Sequence, residues 1–267
     1  MLCIQALRAF TDNYIWLLQD VAQRRCAVVD PGDAEPVQDW LQRNPDWQLS
    51  DILVTHHHDD HTGGVAALKR SSGCRVLGPA GSRIPALDLP LHDGDACEVL
   101  GQRIEVIAVP GHTLDHIAYF QRGAQRGAQA GPRPWLFSGD TLFAGGCGRL
   151  FEGSAQQMHD SLARLAALPG ETEVFCAHEY TLGNLRFACA VEPDNRELRQ
   201  RLEQTEAIRA RDGISLPSNL ACERATPFLR TSEASVREAA ARFSRCQQAD
   251  PVAVFAALRE WKNGFPG

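Results

Sequence analysis

The sequence predicts an α/β domain followed by a helical domain, because the pattern of apolar residues changes once along the chain, from short strand-like runs to helical spacing. Up to about residue 175, short runs rich in β-branched and aromatic residues alternate with turns and a few helical segments. Beyond residue 180, segments such as "NRELRQRLEQTEAIRARDG" and "SEASVREAAARFSRC" have helical spacing, and no strand is predicted there. A chain of 267 residues is long enough for two modest domains. The predicted domains are therefore residues 1–175 and 176–267.

Each predicted strand is a short apolar run bounded by turn residues. The predicted strands are 2–9, 13–20, 25–30, 51–55, 75–78, 97–100, 103–109, 116–121, 135–138 and 173–177. In the first domain, helices are predicted at 34–43, 62–71 and 154–168. Ser154 is the expected N-cap of the third helix, and Asp250-Pro251 predicts the start of the last helix of the chain. The segment 121–134, rich in Gly, Gln and Arg, predicts a loop between two strands.

Composition and charge exclude several classes of function. A net charge of −6 argues against a general nucleic-acid binder, since such proteins neutralise phosphates with basic surface. The longest apolar run, "VAVFAAL", is far too short to span a bilayer, and the N-terminus lacks the features of a signal peptide. Nine cysteines, none of them in a C-x-x-C pair, indicate reduced thiols rather than a disulfide framework. We therefore expect a cytoplasmic protein with neither a nucleic-acid nor a membrane partner.

The segment "THHHDDHTGG" follows the apolar run "DILV" and concentrates metal-ligand residues at a predicted strand end. Alternate positions of an extended segment point the same way, so His56 and His58 share one direction and His57 takes the other. Asp60 and His61 follow in the turn before a helix. Burying so many polar groups without partners is costly, and a bound metal ion offsets that cost. The alternative is a solvent-exposed polar turn.

Three later strands end on further ligand types. His112 follows the strand that ends in "VPG", Asp140 follows "FSG", and His178 follows "FCA". Each of them alone would be a structural residue more often than a ligand, but their recurrence at strand ends favours a shared site. The predicted metal ligands are His56, His58 and His112 for one ion, Asp60, His61 and His178 for a second, and Asp140 between the two. Ligand sets of His and Asp without thiolate suit zinc, with iron(II) or manganese as alternatives.

These motifs resemble the signature of the metallo-β-lactamase superfamily. The matching stretches are T-H-x-H-x-D-H, then G-H-T, then S-G-D-T and a last strand-end histidine. The resemblance implies an α/β fold, the αβ/βα sandwich of that superfamily, with a dinuclear metal site at one edge of its sheets. It also implies that Asp30, in "VVDPG", supports the ligands from behind. The motif is specific for the fold and the metal site but leaves the substrate open.

Narrower features are similar to those of the hydroxyacylglutathione hydrolases, or glyoxalase II enzymes. They are "FTDNYIWLL", "GGCGRLFEGSAQQM", "CAHEYTLGNLRFA", "ERATPFLR" and "FAALREWKNGF", which together span nearly the whole chain, including the C-terminal α-helical domain. The resemblance implies hydrolysis of the glutathione thioester S-D-lactoylglutathione to D-lactate and glutathione, the second step of methylglyoxal detoxification. The residues that it implies for glutathione binding are Arg149, Phe151, Tyr180, Arg259 and Lys262.

Two residues depart from that family pattern. Phe151 lacks the hydroxyl that the family often has there, which puts one substrate hydrogen bond in doubt. Thr226 stands where the family usually has Asn, which bears on packing of the helical domain more than on catalysis.

The mechanism that the resemblance implies is attack on the thioester by a hydroxide that bridges two divalent metal ions. Asp60 and Asp140 are the residues expected to be catalytic as well as ligating, and the chain is expected to act as a monomer. The nearest rival within the fold is a persulfide dioxygenase that uses one iron. A β-lactamase or lactonase and the RNA-processing members of the superfamily are weaker alternatives. A metal- or thiol-binding scaffold without catalysis is the alternative from a different class.

Overall fold

The structure, a computed structural model, describes residues 2–123, 133–245 and 250–266. Most of the predicted loop at 121–134 therefore lies outside the described residues. Contacts between residues divide the chain into two compact units. Unit 1 comprises Met1–Ala108 and Asp115–Gly139, and unit 2 comprises Val109–Leu114 and Asp140–Gly267. The domain limits at residues 175 and 176 stay a prediction.

Unit 1 contains a six-stranded mixed sheet in which the strands follow one another in sequence order. Its strands are β1 (Leu2–Ala9), β2 (Asn13–Asp20), β3 (Arg25–Val29), β4 (Gln48–Leu53), β5 (Arg75–Pro79) and β6 (Leu89–Leu91). The first three strands are antiparallel, whereas β3 to β6 run parallel. The carboxyl ends of β3 and β4 consequently meet at one sheet edge, where the Asp30 amide donates to the Leu53 carbonyl over 2.9 Å. This edge brings Asp30 beside the histidine-rich segment.

Helices and a second sheet complete unit 1. The helices are α1 (Glu35–Arg43), α2 (Asp59–Thr62) and α3 (Val65–Ser72), and Val37 of α1 and Leu68 of α3 share one core cluster with the first sheet. The second sheet is antiparallel, with β7 (Ala96–Val99), β8 (Gln102–Ala108), β9 (Ile117–Gln121) and β10 (Trp135–Gly139) side by side. Tyr119 of β9 donates its hydroxyl to the Val54 carbonyl, 2.9 Å away, and so ties the two sheets together.

Unit 2 is mainly helical. Its elements are β11 (Leu142–Phe143), β12 (Gly146–Cys147), α4 (Ala155–Ala166), β13 (Glu173–Cys176), α5 (Thr181–Val191), α6 (Arg196–Arg209), β14 (Ser218–Asn219), α7 (Leu220–Glu223), a 3₁₀ turn (Pro227–Leu229), α8 (Ala234–Ser244) and α9 (Pro251–Asn263). Ser154 caps α4 in a reciprocal capping box with Gln157, as the sequence predicts. Asp250 caps α9 through the Ala253 amide, with Pro251 at the first position.

The structure corrects two expectations about local structure. The helix predicted at 62–71 begins later, as α3 at Val65, and a separate helical turn that was not predicted, α2 (Asp59–Thr62), precedes it. The prediction of no strand beyond residue 180 is wrong, since β14 pairs antiparallel with β13 through Val174 and Ser218. A strand of two residues has too few positions to show a period. Among the described residues, no helix is long and apolar enough to cross a membrane.

A buried carboxylate joins three parts of unit 2. Glu223 of α7 is completely buried. One of its oxygens accepts from the Gly145 amide at 2.7 Å, between β11 and β12, and the other accepts from Arg201 Nη2 of α6 at 2.5 Å. A buried charge is tolerated only when such partners replace its water, so Glu223 fixes the β11–β12 hairpin against the helices.

We expect Glu223→Ala to lower the free energy of unfolding by about 3–5 kcal/mol, because it leaves the Arg201 charge and the Gly145 amide without their shared partner. Urea denaturation measures the change. The matched control is Glu206→Ala, which removes the half-exposed pair between Glu206 and Arg186, 3.6 Å apart, and should cost only about 0–1 kcal/mol. Equal effects from the two variants would contradict a stabilising role for the buried pair.

Candidate metal centre

Unit 1 presents two pairs of metal-ligand side chains just beyond β4. His56 Nε2 lies 3.0 Å from His58 Nδ1, and His61 Nε2 lies 3.6 Å from Asp60 Oδ2. The pairing follows the predicted division, in which His56 and His58 serve one ion and Asp60 and His61 the other. The rings of His56 and His61 are in contact, with centroids 4.1 Å apart, and both side chains are fully buried. The four donors therefore form one cluster.

The buried Asp30 carboxylate lies beside His61 and, through Thr55, fixes which nitrogen His56 offers. Asp30 accepts from the Thr55 amide at 2.7 Å and from the Thr55 hydroxyl at 2.8 Å, and it lies 3.2 Å from His61 Nδ1. Because the Thr55 hydroxyl already donates to Asp30, its oxygen accepts from His56 Nδ1, 3.1 Å away. The His56 ring consequently carries a proton on Nδ1 and keeps the Nε2 lone pair for a ligand.

Sequence reasoning missed two residues that support this cluster. Asn13 of β2 donates its side-chain amide to the Asp60 carboxylate at 3.1 Å, which orients that oxygen. His116 stacks on the His56 ring with centroids 4.6 Å apart and fixes its plane. Asn13 lies in the stretch "FTDNYIWLL", but no spacing within that stretch marks this residue as a support for a ligand. His116, the last residue of "GHTLDH", has no spacing that separates it from an ordinary buried histidine.

A close backbone approach explains the glycine in "DPGD". A Cβ built on Gly32 would lie 1.8 Å from the Asp60 carbonyl oxygen, a distance that no side chain can accommodate. Only glycine lets the ligand-bearing segment lie directly against the turn after β3.

His57 faces a different group from its neighbours. Its Nδ1 lies 3.0 Å from Asp115 Oδ1, and the other oxygen of Asp115 accepts from the Ser82 hydroxyl. This arrangement agrees with the expectation that His57 points away from His56 and His58, although the strand itself ends earlier, at Leu53.

In unit 2, one carboxylate lies between two histidines. Asp140 Oδ2 is 3.4 Å from His112 Nε2, and Asp140 Oδ1 is 3.3 Å from His178 Nε2. All three side chains are buried, between 4% and 6% exposed. A carboxylate that offers one oxygen toward each of two ring nitrogens has the geometry expected of a residue shared by two ions.

The segment after β12 holds His112 in this position. His112 Nδ1 donates to the Arg149 carbonyl over 2.9 Å, which leaves Nε2 free to face Asp140. The His112 carbonyl in turn accepts from the amides of Phe151 and Glu152 at 3.2 and 3.3 Å. A Cβ on Gly148 would lie 1.9 Å from the Asp140 carbonyl oxygen, so the segment passes directly against that residue.

The donors of both units fit divalent metal ions. Every predicted ligand atom is an imidazole nitrogen or a carboxylate oxygen, the set that zinc, iron(II) and manganese accept. The Nε2 atoms of His56 and His112 are aimed by hydrogen bonds at the opposite ring nitrogen, the usual support of a metal-bound histidine, and His61 Nδ1 lies 3.2 Å from the Asp30 carboxylate. The His/Asp set therefore supports divalent metal binding.

Two of the predicted substrate residues lie directly on candidate ligands. The Tyr180 ring stacks on His178 with centroids 4.7 Å apart and planes 7° apart, and the Phe151 ring meets the His112 ring edge-on at 5.2 Å. Both aromatics are exposed, Phe151 by 64% and Tyr180 by 41%. They form an open aromatic surface beside the unit 2 ligands.

The three predicted basic residues differ in exposure and partners. Burial, together with the charges of Arg259 and Arg149, lowers the pKa of Lys262 to about 8. Its Nζ donates to the Gly183 carbonyl at 3.0 Å and lies over the ring of Phe187. Arg259 is only 5% exposed. The mutual repulsion of these three cations makes the region favourable for an anion.

Comparison with known proteins agrees with this architecture. Residues 9–178 match the family model described as the metallo-beta-lactamase superfamily, and residues 179–265 match the hydroxyacylglutathione hydrolase C-terminus. Over 266 residues the chain is 62% identical to a hydroxyacylglutathione hydrolase of Pseudomonas paraeruginosa (strain DSM 24068 / PA7) and 61% identical to one of Pseudomonas putida (strain GB-1). Each alignment covers 99% of this chain and 100% of the relative.

A solved structure of a metallo-beta-lactamase from Staphylococcus aureus subsp. aureus COL matches with a TM-score of 0.63. The match covers 98% of this chain and 71% of that chain at 18% identity, which shows the fold alone. The predicted fold class, a metallo-β-lactamase domain with a C-terminal helical region, is confirmed.

If Asp140 is shared by two metal ions, as the sequence predicts, Asp140→Asn should weaken the binding of both together, because the amide nitrogen cannot ligate and the shared charge is lost. The affinity for each ion should fall at least tenfold, since even residues behind the ligands are worth about 10–100-fold. Metal-to-protein ratios after dialysis measure the effect. Asp160→Asn, an exposed position on α4, is the control and should leave the ratio unchanged. Full occupancy of two ions in the Asp140 variant would contradict the bridging assignment.

Proposed function

Since the chain belongs to the hydroxyacylglutathione hydrolase family, we propose that it is a thioester hydrolase that converts S-D-lactoylglutathione to D-lactate and glutathione. The observation that best supports this function is the placement of Asp140 between His112 and His178, with exposed aromatic rings lying on both histidines. That arrangement puts candidate metal ligands and a surface for an organic substrate side by side.

We propose two divalent ions per chain, most simply zinc, held by the residues that the sequence predicts. His56, His58 and His112 would hold one ion, Asp60, His61 and His178 the other, and Asp140 would bridge them. When bound, such ions supply Lewis acidity for the thioester carbonyl and lower the pKa of a water molecule toward neutrality. The ligand pairs of unit 1 and the shared carboxylate of unit 2 support this division.

The protein's own residues have three tasks in this reaction. Arg149, Arg259 and Lys262 bind the carboxylates of the glutathione moiety, which suits a basic patch in a chain of net charge −6. Phe151 and Tyr180 cover the substrate and exclude water from the histidines on which they lie. The glutathione thiolate leaves without protonation, because a thiol pKa near ~8.5 makes it a competent leaving group.

Hydrolysis of S-D-lactoylglutathione by the purified protein, with metal analysis on the same sample, tests the proposal. We expect turnover that chelation abolishes and that added zinc restores. The alternative function, that of a persulfide dioxygenase, predicts oxygen consumption with glutathione persulfide and a single iron per chain. A metal-loaded protein that neither hydrolyses the thioester nor consumes oxygen would indicate a scaffold instead. A cytoplasmic location and a monomeric state stay predictions from the sequence.

The lowered pKa of Lys262 predicts a pH dependence of substrate capture. Only the protonated ammonium attracts a carboxylate, so the attraction is present below the pKa of about 8 and is lost as the pH rises through it. We therefore expect kcat/KM for S-D-lactoylglutathione to fall on the alkaline side with an apparent pKa of about 8, since kcat/KM reports the free enzyme.

In Lys262→Gln that alkaline limb should disappear, and kcat/KM should be low at every pH. The control is Lys69→Gln, which removes a lysine paired with Asp88 on the surface of unit 1. An unchanged alkaline limb in Lys262→Gln would assign the limb to another group.

A further inference from the structure

Arg259 of α9 forms hydrogen bonds to the backbone of its own unit. Its Nη1 donates to the Cys147 carbonyl at 2.8 Å and lies 3.5 Å from the Gly148 carbonyl, while Nε donates to Asn263 Oδ1 at 3.2 Å. The guanidinium also lies over the ring of Phe228, 5.3 Å from its centroid. A side chain that is 5% exposed and has these partners is built into the interior.

The backbone that Arg259 holds leads directly to a candidate ligand. Cys147 and Gly148 immediately precede Arg149, whose carbonyl accepts from His112 Nδ1. Gly148 also donates its amide to the Thr141 carbonyl at 3.1 Å, next to Asp140 in the chain. A displacement of this segment would move the acceptor that orients His112 and the backbone that lies against Asp140.

The chemistry of the contact requires an arginine. A guanidinium offers several N–H groups in a fixed plane, so one side chain can donate in two directions at once. A lysine at the same position would keep the charge, but its single ammonium could not reproduce both the carbonyl contacts and the Asn263 contact. The positive charge alone therefore does not account for the role of this residue.

We propose that Arg259 is a positioning residue for His112, acting through the Cys147–Arg149 segment, in addition to any contact with the substrate. The inference rests on the proposed function, because it takes His112 and Asp140 as metal ligands. The proposal gives Arg259 a role that Lys262 does not share. Within the part of the chain that the structure describes, Lys262 donates a hydrogen bond to the Gly183 carbonyl and none to the Cys147–Arg149 segment.

The test compares Arg259→Ala, Arg259→Lys and Lys262→Ala for zinc affinity and for steady-state kinetics. Zinc affinity is measured on the metal-free proteins by competition with a chelator, and folding by circular dichroism. We expect Arg259→Ala to bind zinc about 10–100-fold more weakly and to lose kcat in proportion, as for other residues that orient a metal-bound histidine. Lys262→Ala should bind zinc normally and raise only KM.

Arg259→Lys distinguishes position from charge, and it carries the test if Arg259→Ala does not fold. Compared with Arg259→Ala, we expect Arg259→Lys to have a KM closer to that of the wild type, but to bind zinc as weakly. Arg211→Ala, which removes an exposed arginine just beyond the end of α6, is the control and should change nothing. Wild-type zinc affinity and kcat in a folded Arg259→Lys, with only KM raised, would overturn the inference in favour of a purely substrate-binding role.

The wild-type protein separates failure of this inference from failure of the proposed function. If it binds zinc but does not hydrolyse the thioester, the substrate assignment fails, and the zinc affinities still decide the role of Arg259. If it takes up none of zinc, iron(II) and manganese, both proposals are overturned.

Discussion

The Asp30 carboxylate is the contact on which the unit 1 ligands depend. Asp30 has a φ of +52°, a left-handed conformation that Asp tolerates better than most residues, and this turns its carboxylate toward the chain leaving β4. There it accepts hydrogen bonds from Thr55 and faces His61. The Thr55 hydroxyl oxygen in turn accepts from His56 Nδ1. One charge, buried at the edge where two parallel strands end, therefore fixes the tautomer of His56 through Thr55 and lies beside His61. Without it the His56 tautomer would be unspecified, and a ring with its proton on Nε2 cannot ligate through that atom.

Unit 2 achieves the same result with a neutral acceptor. His112 donates to a backbone carbonyl, that of Arg149, rather than to a carboxylate. A neutral acceptor suits His112 because the ring already faces one negative charge: the Asp140 carboxylate lies 3.4 Å from Nε2, on the other side of the ring. A second buried carboxylate there would repel the first and raise the cost of burying both. A carbonyl fixes the tautomer without that repulsion, but its position depends on the loop that carries it.

The sequence predicted those parts of the fold and site that depend on local pattern. The caps at Ser154 and Asp250 follow from short-range hydrogen bonds, and His57 faces away from His56 and His58 as expected although the strand ends at Leu53. What it did not predict depends on tertiary contact. Asn13 and His116 act only because the chain brings them to residues about 47 and 60 positions away, and no spacing rule encodes that. The strand β14 and the helix α2 are too short to show any periodicity.

On the proposed function, in which Phe151 and Tyr180 contact the substrate, the aromatic rings of unit 2 would couple substrate binding to the environment of the ligands. Phe151 and Tyr180 lie on His112 and His178 yet leave much of their own surface in water. A substrate that covers these rings removes water from apolar surface and from the histidines behind them in the same step. Electrostatic interactions strengthen as water is excluded, so the attraction between the buried donors and developing negative charge increases when the substrate is bound. On the proposed function, the free energy of covering two exposed rings would thereby contribute to the reaction as well as to affinity, although neither ring carries a charge.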